Sequence, residues 1–85
     1  MPTPARRSDV LRPALEHLVK GIVDSPDDVR VRMVDSRRGQ RLEVRVNPED
    51  LGTVIGRGGR TAKALRQVIT SIGGRGVRVE IVDAY

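Results

Sequence analysis

The stretch Val54-Ile55-Gly56-Arg57-Gly58-Gly59-Arg60-Thr61 gathers the residues of this chain best suited to chemistry. Glycine carries no side chain, so a sugar–phosphate backbone can come close to the main chain there. Arg57 places a cation inside the run, and Arg60 and Lys63 follow it. A helix opening just after the glycines would offer unpaired N–H groups and its positive dipole end to phosphate. Two other glycine-rich readings fail. A phosphate-cradling P-loop needs Lys and Ser/Thr directly after its last glycine, and no register supplies them. A dinucleotide fingerprint needs a glycine at its sixth position, after a strand. Counted from Gly56 that position is Thr61, and the preceding element reads as a helix. G-x-x-G between two helices remains: a backbone clamp for a polyanion.

Such a loop works only if the flanking elements hold it. Residues 1–7, with two prolines and two arginines, read as a flexible arm. Val10, Leu11, Ala14, Leu15, Leu18, Val19, Ile22 and Val23 then recur at helical spacing. They cover about 220° of arc, more than one core face requires, which predicts contact with a second chain. Ser8 or Asp9 is a possible cap. Pro13 implies either that Arg12 caps and Pro13 is the first helical residue, or that the opening turn is distorted. His17, at the polar edge, reads as an ordinary surface histidine. After the turn Asp24-Ser25-Pro26-Asp27-Asp28, Val29, Val31 and Met33 alternate with arginines. Beyond Ser36-Arg37-Arg38-Gly39, Leu42, Val44 and Val46 alternate with charges, so the two runs form a β-hairpin. Asn47-Pro48-Glu49-Asp50 is a helix start, with a cap, a first-position proline and acids in the first turn. The glycines interrupt that helix. A longer one follows from about Arg60 to Ile72, with Ala62, Leu65, Val68, Ile69 and Ile72 on its apolar side. Gly73-Gly74-Arg75-Gly76 ends it, and Val77, Val79 and Ile81 alternate in a final strand. The order is α-β-β-α-α-β, and the β-α-α-β crossover makes the second and third strands parallel if they are neighbours.

Composition excludes most other classes. Eighty-five residues make one domain, placed at 8–85. With no cysteine and a single histidine, thiolate metal sites, thiol catalysis and His-dependent catalysis have nothing to work with. No paired-carboxylate site stands out either. The expectation is no enzyme, no metal, no cofactor and no small-molecule substrate. The net charge is +5, and 14 of the 16 cations are Arg, the better partner for phosphate. All of the excess falls in residues 37–85, as expected for a surface that meets nucleic acid or an anionic membrane. Tyr85 is the only aromatic residue, which nearly excludes a base-stacking platform. No run approaches the ~18 apolar residues of a membrane span. The N-terminus also lacks the apolar core of a signal peptide, so a cytoplasmic protein away from membranes is expected.

The glycine segment, continued through Ala62-Lys63-Ala64-Leu65-Arg66, resembles the signature of a KH domain, and the element order is that of the type II, bacterial arrangement. The small size, Asp24-Ser25-Pro26-Asp27-Asp28-Val29 and Ile72-Gly73-Gly74-Arg75-Gly76 together are similar to the small single-KH bacterial proteins called KhpA, in an Arg-rich version like those of actinobacteria. The resemblance covers roughly residues 8–83. It implies an α+β fold, a three-stranded mixed sheet with helices packed on one face. It also implies non-catalytic binding of single-stranded RNA, in regulation or chaperoning, with about four nucleotides clamped at the loop. The expected site is Gly56, Arg57, Gly58, Gly59, Arg60 and Lys63, with Val54, Ile55 and the last strand as an aliphatic floor and Arg75 and Arg78 on the far lip. The chain is expected to pair with itself or with a second, larger KH-containing protein, through Val19 and Val23 or around Leu65 and Ile69. The competing reading is a dimerising assembly adaptor whose RNA contact is secondary.

Overall fold

The computed structural model describes residues 7–84. The arm expected over residues 1–7 lies outside them except for Arg7, which is the first described residue of a helix. The elements are α1 (Arg7–Lys20), β1 (Arg30–Ser36), β2 (Gly39–Val46), α2 (Leu51–Ile55), α3 (Arg60–Ser71) and β3 (Arg78–Asp83). This is the α-β-β-α-α-β order of an α+β domain, as the periodicity indicated. The sheet order is β1-β2-β3, with β1 and β2 antiparallel and β2 and β3 parallel.

In α1 only every fourth residue, Leu11, Leu15 and Val19, is fully buried. One stripe thus meets the core. The wide apolar arc seen in the sequence divides into this stripe, a half-buried flank (Ala14, Leu18, Val23) and two exposed residues, Val10 and Ile22. Val19 is therefore core rather than spare surface for a partner. Pro13 neither starts the helix nor follows a cap. It lies inside, on the exposed side, where its ring displaces no core contact.

The strands show why alternation was legible. Val31, Leu42, Val44 and Val46 turn inward, with Met33, Val79 and Ile81 half-buried beside them, and meet Val54, Leu65 and Ile69 from the helices. The opposite face carries no helix and is charged. At its centre Glu43 is held by Arg32 Nε at 3.0 Å and Arg45 Nε at 2.9 Å, with Arg41 Nη2 at 3.6 Å. Hydrogen bonds from Arg32 and then Arg45 hold the Glu43 carboxyl at a pKa of about 2 although it is buried from solvent.

The turn before α2 is fixed by polar contacts. Asn47 Oδ1 accepts from the Glu49 N–H at 2.9 Å, and Asn47 Nδ2 donates to Asp28 at 3.0 Å. The expected helix start is thus real, but its first turn, Pro48–Asp50, is a 3-10 turn. Buried Asp50 accepts the N–H groups of Asp24 and Ser25, both at 3.1 Å, tying the turn that follows α1 to the entry of α2.

Candidate nucleic-acid interface

The short helix α2 ends when the Gly56 N–H donates to the Gly52 carbonyl at 2.8 Å. Gly56 then takes φ 77°, ψ 166°, and a Cβ there would stand 2.4 Å from Thr61 Oγ1. Only glycine fits, for reasons of both conformation and space. Gly58 (φ 62°, ψ 19°) and Gly59 (φ 77°, ψ 15°) are left-handed as well, but a Cβ on either would meet nothing within 4 Å. Their outer side is open to a ligand. The Gly59 N–H donates to the Gly56 carbonyl at 3.0 Å and closes the turn. Helix α3 begins at the next residue with no side-chain cap and no acid in its first turn, so its positive end has no anionic partner there.

The structure gathers Ile55, Gly56, Arg57, Gly58, Gly59, Arg60 and Lys63 around this turn. Ile55 is 40% exposed; Val54 is 0% exposed. Val54 supports the loop from the core and offers no surface to a ligand, so any aliphatic contact here falls to Ile55. Arg57, Arg60 and Lys63 are exposed and enter none of the ion pairs formed among the described residues. Arg66 extends the row at the same three-residue interval. With Lys63, Gln67, Thr70 and Ser71 it lines an open groove of about 560 Å³ along α3. The expected site omitted Arg66, though the regular interval of cations was visible in the sequence.

Arg75 and Arg78 are not brought to the loop. They follow the far end of α3, whose 12 residues span about 18 Å. Arg78 sits opposite Arg41 on the helix-free face of the sheet. The turn before β3 packs closely, since a Cβ on Gly74 would lie 2.4 Å from Ile69 Cγ2. Among the described residues no group of three metal-ligating side chains converges, and no helix is long and apolar enough to cross a membrane.

The family model described as KhpA/KhpB, KH domain, matches residues 12–81. The RNA-binding protein KhpA of Streptomyces coelicolor is 69% identical over 74 residues, 87% of this chain and 94% of that protein. The RNA-binding protein KhpA of Mycobacterium tuberculosis is 64% identical over 76 residues, 89% of this chain and 95% of its own length. That of Halalkalibacterium halodurans is 43% identical over 76 residues, covering 86% of this chain and all of the relative. No solved structure matches the chain.

Proposed function

The chain belongs to the KhpA/KhpB family of KH domains, and from that premise we propose that it is a non-catalytic protein that clamps single-stranded RNA at its glycine loop. One observation carries the reading. Gly58 and Gly59 leave open space at a left-handed turn directly before an uncapped helix, with Arg57, Arg60, Lys63 and Arg66 around it. Phosphates approach the main chain at the two glycines, the α3 N-terminus and the cations neutralise them, and Ile55 lies under a base. About four nucleotides fit such a clamp. A groove with no aromatic side chain among the described residues holds them by backbone and aliphatic contact, so unpaired strands are preferred to duplex. The chain acts in RNA regulation or chaperoning as part of a pair, with itself or with a larger KH protein.

The test is an Arg57→Asp/Gly58→Asp variant. Asp tolerates the left-handed conformation, so the fold should persist while like charge meets the phosphates. Binding to a single-stranded RNA should fall severely. Undiminished affinity in the folded variant, or a wild-type preference for duplex in direct competition, would refute the clamp.

A further inference from the structure

At the end of the sheet beyond α3, a second basic surface is built from segments the loop does not use. Arg37 and Arg38 form the turn between β1 and β2, where β2 begins. Arg41 and Arg78 stand directly opposite each other across β2 and β3, and Arg75 lies in the turn entering β3. Arg7 binds that turn to the start of β2. Its Nε donates to the Gly73 carbonyl at 2.9 Å, its Nη2 to the Arg75 carbonyl, and its Nη1 to Gln40 Oε1 at 3.3 Å.

Three features point to an anionic ligand. Arg41 faces Arg78 in the ladder, and like charges directly opposite oppose sheet stability unless neutralised; Glu80 holds Arg41 Nε at 3.0 Å, which leaves Arg78 the uncompensated member of the pair. Glu43 neutralises part of this charge from beneath. Its side chain is only 8% exposed while that of Arg32 is 63% exposed; Glu80, opposite Glu43 on β3 and paired with Arg41, shows a carboxylate to solvent on this face as well, at 55% exposure. Arg37, Arg38, Arg75 and Arg78 enter none of the ion pairs among the described residues. The class of ligand follows from what the face lacks. The exposed large apolar residues are Val10, Ile22, Ile55, Val68 and Ile72, none of them on this sheet face, whose apolar members Val34 and Val82 are half-buried and stand apart on the two outer strands. A protein partner would need an apolar or aromatic centre there. Arginine forks without one suit phosphate.

We propose that this face is a second contact surface for the phosphate backbone of an RNA strand held at the glycine loop, engaged only when the strand extends beyond the clamp. The proposal rests on the clamp reading, and its test separates the two. An Arg37→Gln/Arg38→Gln/Arg78→Gln variant is titrated across a salt series with a strand of about four nucleotides and with one several times longer, beside the Arg57→Asp/Gly58→Asp variant. The triple variant should bind the short strand like wild type and the long strand several-fold more weakly. Its long-strand salt slope should be shallower by about 2, at roughly 0.7 for each phosphate no longer neutralised. The loop variant should lose both strands. If the loop variant fails while the triple variant keeps the wild-type long-strand affinity and slope, this surface is refuted and the clamp stands. Equal losses on short and long strands by the triple variant would mark a general field effect and refute it too. If the loop variant retains affinity, the clamp falls, and the second-surface proposal falls with it. Polyglutamate that binds the wild type as tightly as the long RNA would indicate an acidic protein ligand and overturn the assignment.

Discussion

The three glycines of the loop are not equivalent. At Gly56 an added methyl group would collide with Thr61 in a backbone region closed to other residues, whereas at Gly58 it would point into open space. Gly56→Ala should therefore destabilise the fold by about 1–3 kcal/mol, and more than Gly58→Ala, whose cost is only that of a left-handed residue, about 1–2 kcal/mol. Urea denaturation of both variants checks the ranking; equal midpoints would contradict it. The loop was legible in the sequence because few residue types tolerate such turns, and glycine does so freely. What separates Gly56 from its neighbours is the nearness of Thr61, which depends on how α3 leaves the turn. The same holds for Val54 and Ile55, adjacent and similar in type. The phase of a five-residue helix puts one in the core and the other in solvent, and that phase follows from where the 3-10 turn before it hands over.

Among the elements, the sheet was the easiest to read and its outer face the hardest. Alternation placed Leu42, Val44 and Val46 inside, but it placed Glu43 with the solvated charges. Register brings Arg32 opposite it, and the two-residue period of β2 itself puts Arg41 and Arg45 on either side, so that three arginine side chains cover it. A carboxyl whose pKa drops from 4.5 to about 2 on folding favours the folded state at neutral pH. That contribution is complete above about 4.5 and disappears as pH falls toward 2. Thermal stability should decline through this window, and Glu43→Gln should be less stable than wild type at neutral pH and decline less in acid. Superimposable melting-temperature profiles for the two proteins would exclude the network as a source of stability. The helix α1 taught a different lesson. An apolar arc too wide for one face suggested a partner, yet three of its eight residues form the core stripe and three more an ordinary half-buried flank, which leaves only Val10 and Ile22 exposed.

For the molecule as a whole, the proposed pairing raises the question of which surface it would use. Val19, Leu65 and Ile69, named from the sequence, are all buried in this chain's own core, so a dimer must use what remains exposed. At the end of α3 that is Val68 and, just past its last residue, Ile72, one turn apart. Sedimentation at micromolar concentration should show a dimer that dissociates when both are changed to serine. A wild type that stays monomeric and still binds RNA tightly would contradict pairing. The connectivity of the sheet has a further consequence, in the order of events in time. The strands β1 and β2 are joined by a two-residue turn and can meet in about 1–10 μs. The partners in β2 and β3 are separated by the whole helical segment, residues 47–77, so their parallel pairing must wait for that segment to close. The glycine turn lies inside it, positioned only once α3 has packed and β3 has docked. On the proposed reading, a chain caught before this closure would have a hairpin but no clamp, so competence to bind should arrive with the closure.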